Sequence, residues 1–170
     1  MDMHMANLPR IFRHLISTRH QVRKAFPPRT LAAIGQAIQR AEAQRIGEIR
    51  FVVEAALDGP SLLLGQSARE RAIEVFAQLR IWDTQHRTGI LIYLLMSDHQ
   101  IEIVADRGID AHVGTEGWAS LCRSLEAAFT RGEFEQGAIA CIDAVAQKLL
   151  HHFPDCAPAR NELPDAPVML

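Results

Sequence analysis

The sequence has no CxxC pair, and its three cysteines, Cys122, Cys141 and Cys156, stand far apart. An odd, scattered set excludes a disulfide framework and a cysteine-based zinc site, and it fits a reducing compartment. No apolar run approaches the roughly twenty residues that a membrane-spanning helix needs. The opening stretch MDMHMANLPRIFRHL has no unbroken hydrophobic block and no small-residue cleavage site, so a cytoplasmic chain without a secretion leader is expected. Lysine is scarce, with Lys24 and Lys148 alone against many arginines. The formal net charge of −2 is too balanced for the one-sided basic field that nucleic acid selects. HEXXH, the P-loop pattern, GxGxxG and GxSxG are all missing, which removes the commonest signatures of metalloprotease, nucleotide and serine-hydrolase chemistry.

What is present is 170 residues, 48% apolar and 22% charged, enough for one domain with a full core. Within residues 1–25, Phe12, Leu15, Arg19 and Val22 recur at helical spacing among basic neighbours. This predicts an amphipathic helix stopped by Phe26-Pro27-Pro28. Its basic face reads as a solvated surface, and a membrane-surface contact is not expected of it. Thr30 is placed to cap a second helix with Leu31, Ile34, Ile38 and Ala41 on its apolar side. EIRFVVEAAL, residues 48–57, alternates and is rich in β-branched residues, the pattern of a strand. Ser67 and Glu70 have capping-box spacing ahead of the stripe Ala68, Ala72, Val75, Phe76 and Leu79.

ILIYLLM, residues 90–96, is apolar throughout and reads as a strand buried on both faces, hence central. A short connection leads into a third strand over 100–106. Two helices follow, with stripes Trp118, Leu121, Leu125 and Phe129, then Phe134, Ala138, Cys141, Val145 and Leu149. The proline-rich tail 155–170 is expected to be extended, either loose or lying along the body through Leu163, Val168 and Leu170. The order of elements predicts an α/β fold: a three-layer α/β sandwich whose small mixed sheet joins a parallel pair to an antiparallel hairpin strand, with helices on both faces.

Two polar clusters follow from that topology. The carboxyl ends of the parallel strands, where open sheets gather ligands, carry Glu54, Asp58, Asp98 and His99. The antiparallel strand delivers ADRGID to the opposite edge, beside the loop 82–89. That edge collects Trp82, Asp83, Thr84, Arg87, Asp106, Arg107, Asp110 and Glu116. Carboxylates hold hard cations and guanidinium groups hold anions. The same side chains also pair with one another, as Asp83 with Arg107 or Asp106 with Arg87, and spacing favours this structural reading. Trp82, Cys122 and Cys141 are expected in the core.

The run through Trp82-Asp83-Thr84, Gly89-Ile90-Leu91 and Glu102 to Gly108, with FTRGEFEQGAIACIDAVAQKLLHHFP, resembles the TPM domain family over residues 26–154. The resemblance implies a compact α/β sandwich, acid phosphatase activity and binding of a divalent cation, calcium among them. On that footing Asp83, Asp106 and Glu116 are the implied cation ligands. Asp106, Arg107 and Asp83 are the implied catalytic group, and Arg69, Trp82 and Arg87 the implied anion and loop contacts. The implied cofactor is Ca2+ or another divalent cation, with no organic cofactor. No nucleophile with an adjacent base is visible in the sequence. The expected function is therefore a binding or assembly module, modulated by a cation and serving an unidentified protein partner. A weak metal-assisted phosphomonoester hydrolase is the alternative.

Overall fold

Two strands buried on both faces need cover above and below, and the chain supplies it with helices cut to different lengths. The computed structural model describes residues 8–17, 19–43, 47–154 and 161–170. In chain order these form α1 (Leu8–Ile16), α2 (Arg19–Ala25), α3 (Pro28–Glu42), β1 (Glu48–Glu54), α4 (Gly59–Leu63) and α5 (Ala68–Gln78). Then come β2 (Gly89–Leu95), a 3-10 turn (Met96–Asp98), β3 (Gln100–Ala105), α6 (Arg107–Thr130), α7 (Phe134–His152) and β4 (Val168–Met169).

The sheet order is β3-β2-β1-β4. β1 and β2 run parallel with Phe51 opposite Ile92, and β3 returns antiparallel with Ile103 opposite Ile92. Alternation sends Ile90, Ile92 and Leu94 into one core with α3, α6 and α7, and Leu91, Tyr93 and Leu95 into the other with α5. This is the expected three-layer sandwich with its mixed sheet. Phe26, just past α2, joins the first core by packing its ring against Phe51, Phe129 and Phe134, with centroids 6.1, 5.8 and 5.4 Å away.

Several local expectations change. The N-terminal segment forms two helices, and Phe12, Leu15 and Arg19 are exposed while Val22 is buried. Residue 18 and residues 1–7 lie outside the described residues. Thr30 is not a cap: α3 starts at Pro28 behind Pro27, and the Thr30 hydroxyl instead donates to Glu135 Oε2 at 2.7 Å. Proline at the first helical position takes over the start, since its missing N–H would have no partner there. A short α4, capped by Asp58, follows the break expected at Asp58-Gly59-Pro60. α6 begins at Arg107, and Gly114, with φ 70° and ψ 168°, kinks it. The tail supplies a fourth strand: Leu170 N donates to Val53 O at 2.9 Å, covering the open edge of β1. Cys156 and the rest of 155–160 lie outside the described residues.

Candidate functional site

The carboxyl edge of the parallel strands is closed by the chain itself. Arg10 and His14 on α1 reach Asp98, with Arg10 Nε 2.9 Å from Oδ2 and His14 Nε2 3.0 Å from Oδ1. Leu57 N donates to His14 Nδ1 at 3.0 Å, so Nδ1 is an acceptor and the imidazole proton sits on Nε2, donated to Asp98. Burial opposes ionisation of Asp98, but the bonds from Arg10 and His14 outweigh it and hold the carboxyl below its usual range. Beside this, Glu54 is gripped by Arg71 through both oxygens, each 2.9 Å from a guanidinium nitrogen, and accepts from the Tyr93 hydroxyl at 2.6 Å. Burial and the Glu54 bond keep Tyr93 firmly protonated. Asp58 is spent on capping α4 through Ser61 N. His99 occupies the left-handed turn that reverses the chain into β3.

The amino edge carries the second cluster, and main-chain bonds build it. Asp106 N donates to Gly89 O at 2.8 Å, and Gly108 N donates to Arg87 O at 3.0 Å. This clamps the start of α6 onto the loop before β2. Gly108 is required by that approach: a Cβ there would lie 2.4 Å from Arg87 O and 2.7 Å from His86 O. The Asp106 side chain caps α6, with Oδ1 accepting from Arg107 N at 2.7 Å, while Oδ2 is buried without a hydrogen-bond partner. Among the described residues no ion pair includes Asp83, Arg87, Asp106 or Arg107, so the expected bridges between the two loops are absent.

The remaining expected site residues are placed elsewhere. Trp82 is 52% exposed rather than in the core, because Ile81 fills the buried position next to it. Asp110 accepts from Trp118 Nε1 at 2.9 Å. Glu116 bonds Arg123, past the kink in α6. Arg69 lies on α5 and donates to Ile103 O at 2.6 Å, over β3. Asp83, Arg87 and Arg107 are exposed around the start of α6. The cation implied by the resemblance does not fit Asp83, Asp106 and Glu116, since they do not come together as a ligand set. Among the described residues no three His, Cys, Asp or Glu side chains converge as a metal site.

Sequence reasoning missed a buried group beneath the tail. Glu48, Arg50 and Glu42 are each at least nine-tenths buried. Glu48 accepts from Glu162 N and Leu163 N, and Glu42 Oε1 accepts from Ile49 N at 2.7 Å. Burial, with Glu48 and Asp165 nearby, pushes the Glu42 carboxyl up to about 9. The sequence shows Glu48 and Arg50 on alternate positions of β1, but their spacing carries no sign that the tail would bury them with Glu42.

Concave surface lies at the same carboxyl edge but away from α1, between the α2–α3 corner, the β2–β3 turn and the α6–α7 corner. Two adjoining clefts of about 770 and 570 Å3 share Met96 and Phe134. The smaller is lined by apolar Ile101 and Phe129, with Glu126 and His99 among them.

The chain belongs to the TPM domain family, which matches residues 22–148. It is similar to the BA42 protein from the psychrophilic bacterium Bizionia argentinensis, solved by NMR, with 28% identity and a TM-score of 0.73. That likeness covers 84% of this chain and 93% of the other. No curated protein matches.

Proposed function

We propose that this TPM-domain chain is a binding or assembly module rather than a hydrolase. One observation carries the reading: among the described residues no three acidic, His or Cys side chains converge, and Asp83, Arg87 and Arg107 are exposed and outside any ion pair while the other candidates are engaged apart. Glu116 is held by Arg123, Asp110 by Trp118, Arg69 by a β3 carbonyl and Asp106 by its own helix. Catalysis of that kind depends on cation and guanidinium groups aimed together at one phosphoryl oxygen. Among the described residues the two thiols are poor nucleophiles, since burial pushes Cys122 up to about 11 and Cys141 up to about 12. The clefts at Met96 and Phe134 suit a protein partner's side chains. The reading places the chain in the cytoplasm, which its free thiols support. The cation expected from the resemblance has no part in it.

A weak phosphomonoester hydrolase is the second reading, and one observation favours it. Asp106 Oδ2 is buried and unpartnered, as a carboxylate kept for a ligand would be. The two readings separate on turnover of p-nitrophenyl phosphate by purified protein from acid to neutral pH, with and without Ca2+ or Mg2+. The expected result is no rate above buffer. A rate lost in both Asp83→Ala and Asp106→Ala, with the fold retained, would put the hydrolase in its place.

A further inference from the structure

Helix α1 docks with the reverse of the usual polarity. Its polar side chains face the body: Arg10 and His14 bond Asp98, and Arg10 also donates to Gln66 O at 2.7 Å. Ile11 packs partly buried against the core beside α5, and the remaining large apolar side chains of α1 face water. Leu8, Phe12, Leu15 and Ile16 are 77%, 64%, 75% and 51% exposed. Steps of four, three and one residues put all four on a single stripe. Next to α1, the chain that Arg10 holds through Gln66 carries Leu63 and Leu64, which are also exposed.

Charge adds a second, independent constraint. Residues 8–25 hold Arg10, Arg13, Arg19, Arg23 and Lys24 and no acid. With a formal net charge of −2 for the whole chain, that +5 leaves −7 on the rest. Arg19, Arg23 and Lys24 are exposed, and Arg13, 3.5 Å from Asp98 Oδ1, keeps a half-exposed side chain. We propose that α1 and the start of α2 form a docking surface for an anionic lipid bilayer. The apolar stripe would lie among the headgroups and acyl boundary, flanked by cations paired with lipid phosphates. A convex helix with a basic border suits a flat anionic surface. A second copy of the chain would bring two basic borders together, which charge opposes. The bonds to Asp98 keep α1 attached to the body, so docking brings the carboxyl edge of the sheet to the lipid and leaves the loop at Asp83 and Asp106 in solution. This surface goes beyond the proposed function and does not depend on whether the chain is a hydrolase.

The test is flotation of the full chain with vesicles of pure phosphatidylcholine and of equimolar phosphatidylcholine and phosphatidylglycerol. The chain is expected to float with the anionic vesicles alone, and less at high salt. Phe12→Ser/Leu15→Ser is expected to lose at least about tenfold in partitioning while keeping the wild-type melting temperature, because both side chains are exposed. Absence of binding to anionic vesicles would overturn the proposal, as would equal binding by the double variant. Sedimentation showing self-association that this variant abolishes, without vesicle binding, would assign the stripe to a second copy instead.

Discussion

The unusual residues of this fold are the charges buried beside its sheet, and Glu42 shows what they cost. Its carboxyl is pushed up to about 9 from 4.5 by burial, with Glu48 and Asp165 adding to the effect and the Ile49 N–H opposing it. A carboxyl with a higher pKa in the folded chain than in the unfolded chain holds its proton more tightly when folded. Folding therefore takes up a proton between about pH 4.5 and 9, and stability falls as pH rises through that window. Glu42→Gln keeps an oxygen for Ile49 N and removes the titration. The variant is expected to exceed the wild type by several kcal/mol at pH 8, with about 5 kcal/mol as the upper bound, and to match it near pH 4.5, read by urea unfolding. Equal stability at both pH values would show that Glu42 ionises freely in the folded chain.

At the scale of elements, the strongest periodic signals survive and the mixed ones do not. β2 has seven apolar or small residues in a row and sits inside the sheet with every one of them buried. The stripe of α7 lies in the core from Phe134 to Leu149. The Ser67–Glu70 capping box forms on both sides, Ser67 Oγ to Glu70 N and Glu70 Oε2 to Ser67 N. α1 failed for a physical reason: a stripe tells that a helix is amphipathic, not which side it docks, and Asp98 is a stronger partner for Arg10 and His14 than the core is for Phe12. The tail was readable as extended, but pairing with β1 depends on contacts more than 100 residues apart, such as Glu48 with Leu163 N. Removing residues 161–170 is expected to expose the edge at Val52 and Val53. The truncated chain should melt at a lower temperature and associate with rising concentration, seen by sedimentation. A monomer with unchanged melting would show that the tail strand contributes nothing.

At the scale of the whole molecule, the chain spends polar residues at both ends of its sheet on holding the sandwich together. α1 closes one end through Asp98, and the start of α6 closes the other through Arg87 O and Gly89 O. The placement of ADRG beside loop 82–89 was legible, because strand direction fixes which edge a residue reaches. The role of each side chain there was not legible, since spacing cannot separate a cap from a ligand. Asp106 is where the two meanings part. The most direct measurement is the unfolding free energy of Asp106→Ala beside the wild type. As a helix cap, Asp106 should stabilise, so the variant is expected to lose about 1 kcal/mol. A variant more stable than the wild type would contradict the account, because it would mark Asp106 as a carboxylate held at a cost for something other than the fold.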